Sequence, residues 1–98
     1  MDALQVVAEP RRREILRTVW RRERSAGEIA AVFDVSFAAV SQHLAVLKDA
    51  GMVSVRKEGR KRLYRADRES LGALGRTLEE LWGKSLDRLV ELAEGRGE

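Results

Sequence analysis

The sequence predicts a mainly α-helical domain with one small β-hairpin, because three patterns follow one another between Ser25 and Arg65. Apolar residues at helical spacing indicate two short helices, and a tight turn at Asp34-Val35 separates them. Residues Met52 to Lys57 then alternate between apolar and polar types and lead through a turn into a second strand. Two helices, a turn and a hairpin in this order are the layout of a winged helix-turn-helix. We therefore expect that fold.

We expect a single domain over residues 1–98, because a chain of this length suits one small core. Its N-terminal helices occupy residues 1–24, and the helix-turn-helix occupies 25–50. The hairpin, or wing, occupies 52–66, and a last helix occupies 67–93. So small a core leaves a thin stability margin, which burial against a second copy would increase.

The N-terminal part contains two helical patterns that meet at a proline. In the first pattern, Leu4, Val7 and Ala8 fall on one side of a short helix. Pro10 suits the first turn of a new helix, because its missing amide costs nothing there. This second helix is predicted to continue through Arg11 to Arg22 with an apolar stripe formed by Ile15, Leu16, Val19 and Trp20.

The helix-turn-helix carries capping signals at both helices. Ser25, with Glu28 three residues later, predicts a capping box for a helix from Ala26 to Phe33. Ser36 predicts the start of the next helix, from Phe37 to Ala50.

A buried stripe and a glycine define the rest of this second helix. The stripe consists of Val40, Leu44 and Leu47, which recur at helical spacing. Gly51 fits the left-handed position that commonly ends a helix. Beyond it, Glu58-Gly59 is the predicted turn of the wing, and Arg60 to Ala66 is the predicted returning strand.

The last helix, which Asp67 or Ser70 could cap, has a longer apolar stripe than one small core requires. We therefore expect it to pack on a partner chain. The predicted interface residues of this helix are Leu78, Leu81, Trp82, Leu86 and Leu89.

Charge is distributed unevenly along the chain. The whole sequence has 19 Lys/Arg and 16 Asp/Glu residues, a net charge of +3. Residues 1–66 contain 14 basic and 8 acidic residues, whereas residues 67–98 contain 5 and 8. The excess of positive charge therefore lies in the predicted helix-turn-helix and wing, which favours a nucleic-acid partner.

Several functional classes are disfavoured by what the composition lacks. The sequence has no cysteine and one histidine, so a disulfide framework or a thiolate metal site is excluded, and we expect no metal and no cofactor. Ser41 and His43 have no carboxylate at triad spacing, and glycine-rich phosphate loops are missing, so we predict no enzyme. Apolar runs are far shorter than the ~20 residues that span a bilayer, and we expect no membrane partner and a cytoplasmic location.

The predicted partner is double-stranded DNA. The second helix would enter the major groove, where short or hydrogen-bonding side chains can read base edges. Gln42 suits an adenine edge, Ser41 suits several bases, and Phe37 and Ala38 can pack on thymine methyl groups. For His43, a structural role and a phosphate contact remain alternatives. The candidate DNA-binding residues of this helix are Ser36, Phe37, Ala38, Ser41, Gln42, His43 and Lys48.

The wing concentrates positive charge that would repel itself unless an anion lay against it. Its candidate DNA-binding residues are Arg56, Lys57, Arg60, Lys61 and Arg62. The arginines of the second helix, Arg11, Arg12 and Arg13 among them, suit either a phosphate or an intramolecular carboxylate. Two other functions compete with DNA binding: a protein-interaction module with an incidental basic wing, and a metal-responsive repressor whose ligands come from two chains.

Three segments resemble the ArsR family of bacterial winged-helix repressors: EPRRREIL, SAGEIAAVFDVSFAAVSQHLAVLKDAGMV and RKEGRKRLYR. The shared features are S-x-x-x-V-S-x-H-L-x-x-L, a following G-hydrophobic-V, and G-R-x-x-x-Y in the wing. The resemblance implies a homodimer that is paired through its first and last helices and binds a palindromic operator. Pairing of this kind would add Leu4 and Val7 of the first helix to the predicted interface. It also implies repression that is relieved when a ligand or a modification reshapes the dimer, although it does not name the effector.

The chain departs from this family at its sensing and reading positions. Many members sense metals through cysteines or through Asp/His/Glu clusters, whereas this chain has no cysteine and its last helix has no histidine. The sequence therefore resembles the metal-independent branch. Position 38, commonly proline in relatives, is Ala38, and Phe37 stands where a polar residue is common.

Overall fold

Five α-helices and three short strands form the part of the chain that the computed structural model describes, residues 2–83. The helices are α1 (Ala3–Ala8), α2 (Pro10–Thr18), α3 (Ala26–Phe33), α4 (Phe37–Asp49) and α5 (Gly72–Leu78). The strands are β1 (Arg24–Ser25), β2 (Val53–Glu58) and β3 (Lys61–Ala66). A 3-10 turn, Glu69–Leu71, precedes α5, and a π-helical turn, Glu79–Gly83, follows it. This order confirms the predicted winged helix-turn-helix.

Side-chain caps determine where four of the helices begin. The predicted capping box of Ser25 and Glu28 is present at α3, and the Ser36 hydroxyl accepts the Ala39 N–H at 3.1 Å to start α4. Two further caps were not predicted: Asp2 caps α1, and the Glu9 carboxylate accepts the Arg12 N–H at 2.7 Å to start α2. Each cap satisfies a backbone donor that has no partner within its helix.

Helix α2 ends at Thr18, which corrects the prediction that it continues to Arg22. The chain leaves the helix because the next residues bond to other elements. The Val19 carbonyl accepts the Ala66 N–H of β3 at 2.9 Å, and the Arg24 side chain donates to the Thr18 carbonyl at 2.9 Å. Val19 and Trp20 remain fully buried after the helix has ended.

The sheet is antiparallel with strand order β1-β3-β2. Strand β1 was not predicted, because its two residues are too few to produce an alternating pattern. Glu58 pairs with Lys61, so the wing turn consists of Gly59 and Arg60, one residue later than predicted. Gly59 has a φ of 62°, the left-handed conformation that a two-residue hairpin turn requires.

One apolar core joins all these elements. Its fully buried members include the predicted stripes of α2 and α4, namely Ile15, Leu16, Val19, Trp20, Val40, Leu44 and Leu47. In α1, Val6 and Val7 are buried whereas Leu4 is 68% exposed and Ala8 is exposed, so Val7 is the one residue of the predicted apolar side that packs in the core. The short capped helix thus turns adjacent valines to the core.

Residues 67–83 are less regular than the helix that was predicted over residues 67–93. Asp67 accepts the Ser70 N–H at 3.3 Å, as a predicted cap would, but it begins a 3-10 turn. Gly72, with a φ of 58°, separates this turn from the rest of α5, so the segment changes direction. Leu86 and Leu89, two predicted interface residues, lie outside the described residues.

Gly75 allows close packing between α5 and the turn before it. A Cβ at this position would lie 2.7 Å from the Arg68 carbonyl oxygen and 2.9 Å from the Leu71 Cβ. We expect Gly75→Ala to lower the free energy of unfolding by about 1–3 kcal/mol, because this overlap outweighs the helix propensity of alanine. Urea denaturation measures the change.

Gly27→Ala is the matched control, since the nearest heavy atom to its added Cβ would be the Ser25 Oγ at 3.9 Å. There we expect no loss, or a gain of up to about 1 kcal/mol. Equal destabilisation by the two substitutions would contradict the packing role of Gly75.

Candidate nucleic-acid interface

The orientation of helix α4 is set by the sharp turn before it and by the burial of its inner stripe. Asp34 ends α3 in the left-handed conformation, with a φ of 52°, and the following Val35 N–H donates to the Ala30 carbonyl at 3.4 Å. Helices α3 and α4 are bent by 117° to each other, within the range of about 90–120° found in helix-turn-helix motifs. Burial of Val40 and Leu44 fixes the rotation of α4 about its axis.

The sides of α4 that are not part of this stripe are largely open to solvent and carry most of the predicted reading residues. Phe37, Ala38 and Gln42 are exposed, and Ser41 is half-buried. Phe37 is 61% exposed, an unusual state for a large apolar side chain at the start of a helix. With Ser36 and Lys48, these residues form one accessible surface.

A cleft of about 1170 Å³ separates this helix from the wing. Phe37, Ser41 and Lys48 line it from α4, and Val55 and Tyr64 line it from the sheet. The charged side chains along it are five cations, Lys48, Lys57, Arg60, Lys61 and Arg62, and one acid, Asp49. Within residues 2–83, no carboxylate lies within 4.0 Å of any of these five cations.

The pairing register divides the wing cations between the two faces of the hairpin. Lys57 lies directly opposite Arg62, and both line the cleft. Because side chains alternate along a strand, Arg56 belongs to the other face. There its Nε and Nη2 atoms lie 2.6 and 2.8 Å from the Glu23 carboxylate, and Nη2 lies 2.8 Å from Glu58.

Arg56 is thus the one member of the five predicted wing cations that does not line the cleft, and the register places it on the face opposite to Lys57 and Arg62. Its pairing was not predicted, because Glu23 is 33 positions away and precedes a strand too short to recognise. The hydrogen bond from Arg56 is also the largest cause that holds the pKa of Glu23 below its ordinary value.

His43 lies beside α2 and outside the cleft. Its Nδ1 atom is 3.9 Å from an oxygen of Glu9, the carboxylate that caps α2, and its side chain is 26% exposed. This environment suits the structural alternative for His43, since the ring joins α4 to the beginning of α2.

The arginines at the start of α2 interact within the chain. Arg12 Nε donates to the Val6 carbonyl at 3.0 Å, and Arg13 Nη1 donates to the Val7 carbonyl at 2.9 Å. They therefore satisfy backbone acceptors at the end of α1, a pairing that neither alternative from the sequence included. The Arg11 guanidinium lies over the Phe33 ring, 5.3 Å from its centroid.

The predicted interface residues fall into two groups. Val7, Leu78 and Trp82 are buried within the chain, so their burial requires no partner. Leu4 and Leu81 are 68% and 61% exposed. Of the predicted interface residues that the structure describes, Leu4 and Leu81 are therefore the two that are free to contact a second copy.

The π-helical turn is joined to the end of α2 by aromatic and charged contacts. Trp20 and Trp82 pack edge to face, with ring centroids 5.3 Å apart. The Glu79 carboxylate accepts hydrogen bonds from the Trp20 indole and from Arg21 and Arg68. The indole hydrogen bond is the largest cause of the lowered pKa of Glu79, and the two guanidinium groups lower it further.

Residues 2–83 bring together no group of three His, Asp or Glu side chains that could hold a metal ion. In the same range, no single helix is long and apolar enough to span a membrane; α3 and α4 reach that length only as a bent pair.

Comparisons with known proteins agree with this architecture. The family model for bacterial regulatory proteins of the arsR family matches residues 9–55. The HTH-type transcriptional regulator Rv2034 of Mycobacterium tuberculosis is 36% identical over 98% of this chain and 90% of its own length.

Other relatives include both a repressor and an activator of transcription. SdpR of Bacillus subtilis, a transcriptional repressor, is 33% identical over 59% of this chain and 64% of its own length. HlyU of Vibrio cholerae, a transcriptional activator, is 34% identical over 81% of this chain and 73% of its own length.

Solved structures are similar along most of the chain. One, described as a possible transcriptional regulator for arsenical resistance, is 43% identical and covers 93% of this chain and 95% of its own, with a TM-score of 0.72. Another is the homodimeric winged helix-turn-helix DNA-binding domain of Mb0332 from Mycobacterium bovis, 28% identical over 79% of this chain and 71% of its own, with a TM-score of 0.69. The chain belongs to the arsR family of bacterial regulatory proteins and is a DNA-binding transcription regulator.

Proposed function

We propose that this protein is a repressor that binds a palindromic operator as a homodimer, with α4 in the major groove and the wing along the flanking backbone. The observation that carries the proposal is the cleft between α4 and the wing, where five cations have no carboxylate of residues 2–83 within 4.0 Å. Like charges held this close repel one another, and an anionic backbone in the cleft relieves that repulsion.

Base reading is assigned to the exposed side of α4. The Gln42 amide can donate to and accept from an adenine edge, and the Ser41 hydroxyl can bond to several bases. Phe37 and Ala38 offer apolar contact to thymine methyl groups. The exposure of Phe37 supports this assignment, because a bound base pair would cover an apolar ring that the core leaves in water.

Phosphate contact is assigned to the wing and to Lys48 at the end of α4. Lys57 and Arg62 face the cleft from opposite strands, and Arg60 lies in the turn. Such contacts fix the position of the protein on the duplex and make binding depend on salt concentration, while α4 supplies the sequence preference.

Homodimerisation is supported by the exposed leucines Leu4 and Leu81 and by the homodimeric state named for the similar Mb0332 domain. Two copies would present two α4 helices to half-sites about one helical turn apart. The repressor assignment is supported by the relative SdpR, named as a repressor. Repression also has a simple physical basis, because a protein bound to a promoter can prevent RNA polymerase from binding there.

The alternatives predict different observations. A protein-interaction module would present a continuous apolar surface in the cleft. Among the described residues that line the cleft, Phe37 is the one large apolar side chain that is exposed. A metal-responsive repressor with ligands from two chains would contain stoichiometric zinc or nickel when the dimer is purified.

Removal of the wing cations should weaken DNA binding and its salt dependence together. We expect Arg60→Ala/Arg62→Ala to lower the slope of log affinity against log salt by about two, because each lost phosphate contact lowers it by about one. Titration of an operator fragment, selected from genomic DNA with the unaltered protein, measures both quantities at several salt concentrations. Arg76→Ala, an exposed substitution on α5, is the control for lost charge. An unchanged affinity and slope in the double variant would refute the wing assignment.

Introduction of a charge at the proposed dimer surface should yield monomers. We expect Leu81→Glu to raise the dimer dissociation constant by on the order of tenfold or more, because the carboxylate would be buried without a partner. Analytical ultracentrifugation measures it. Val32→Glu, at a residue 59% exposed on α3, is the control. If the two variants dimerise equally well, the interface lies elsewhere.

Repression can be separated from activation in a purified system. We expect the protein to reduce transcription from a promoter that contains its operator, and Gln42→Ala to reduce transcription less, because a base contact is lost. Run-off transcription with purified polymerase measures both. An increase in transcript with added protein would show that the chain resembles HlyU in its direction of control.

A further inference from the structure

Glu23 and Arg56 join two elements that the strand order keeps apart. Glu23 directly precedes β1, and Arg56 lies in β2, with β3 between those strands. The salt bridge therefore crosses the face of the sheet that is turned away from the cleft. Leu63 occupies the intervening position on that face, since it pairs with Arg56 on one side and with Ser25 on the other.

The geometry of this pair is that of a strong surface ion pair. Two guanidinium nitrogens bond to the two oxygens of one carboxylate, at 2.6 and 2.8 Å, so the relative orientation of the groups is fixed. Glu58 joins the same guanidinium at 2.8 Å, and Arg65 also lowers the pKa of Glu23. Isolated surface ion pairs contribute little, but bidentate pairs within a network are the exception.

The pair lies at the base of the otherwise unsupported part of the wing. From Arg56 through Arg62 every residue is exposed, so hydrogen bonds between β2 and β3 are the main constraint on the tip. A two-stranded ribbon with no packed face bends easily. Arg56 is therefore placed to hold the edge strand β2 against the body of the protein before the tip begins.

We infer that the Glu23–Arg56 pair braces the wing in the orientation that contacts DNA, and that Arg56 is a positioning residue that itself touches no phosphate. This inference rests on the proposed placement of the wing on DNA. It assigns a positive role in DNA binding to an acidic residue, Glu23, which simple charge attraction would count as unfavourable.

Glu23→Gln separates positioning from electrostatics, because the two predict opposite signs. Removal of a negative charge should strengthen DNA binding if charge alone matters. We expect instead that the dissociation constant for the selected operator rises about twofold to fivefold, with an unchanged salt slope. Glu69→Gln, the same change at an exposed residue that lies outside the wing strands and does not line the cleft, is the control and should not weaken binding.

Arg56 is tested by the salt slope and by exchange of the two charges. Arg56→Ala should weaken binding without a change in slope, whereas Arg60→Ala should lower the slope by about one. Arg56→Glu should bind poorly, and Glu23→Arg/Arg56→Glu should recover part of the lost affinity, because the pair is rebuilt in reverse while Glu58 then lies beside a like charge. A direct phosphate contact by Arg56 could not be restored in this way.

A measurement without DNA makes the brace testable independently. The NMR order parameter of the Gly59 amide should fall in Glu23→Gln and Arg56→Ala and recover in the exchanged double variant. If Glu23→Gln binds as tightly as the unaltered protein and Gly59 keeps its order, the inference is wrong. If Arg60→Ala/Arg62→Ala leaves affinity and slope unchanged, the placement of the wing on DNA fails, while Gly59 still reports on the brace.

Discussion

Burial of Trp20 is the constraint on which the rest of the structure depends. Its ring is fully buried just after α2, at the point where the chain leaves the helix to bond with β3. The indole packs against Trp82 and donates its N–H to Glu79, so the C-terminal segment docks on the same residue. A buried indole needs such an acceptor, because an unpaired N–H would offset part of the gain from burying the ring. Sheet, α2 and C-terminal segment are thereby fixed relative to one another.

Elements defined by local signals could be predicted from the sequence. Ser25 and Ser36 are recognisable caps, because the donors that they satisfy lie three residues away. Gly51 was predictable for a similar reason, since its φ of 74° is a conformation that other residues adopt only with strain. The stripe of Val40, Leu44 and Leu47 follows from helical period alone. Together these signals defined α3, α4 and the beginning of the wing, which form the frame of the candidate site.

Features that depend on distant pairs could not be predicted. The contact between Trp20 and Glu79 spans 59 positions, and that between Arg56 and Glu23 spans 33. A run of basic residues does not reveal which of them already pair with a carboxylate. Arg56 was therefore predicted to bind DNA together with the other wing cations. The early end of α2 has the same origin, because Val19 leaves the helix to bond with a strand formed more than 40 residues later.

In helix α4, the residues that pack in the core and the residues that are open to solvent form two separate sets. Val40, Leu44 and Leu47 pack in the core, whereas Ala38, Ser41 and Gln42 lie on the open side and contribute little to it. No residue belongs to both sets. Substitutions on the open side therefore leave the buried stripe intact. Under the proposed base-reading role of this side, a duplicated gene acquires a new operator preference at little cost in stability.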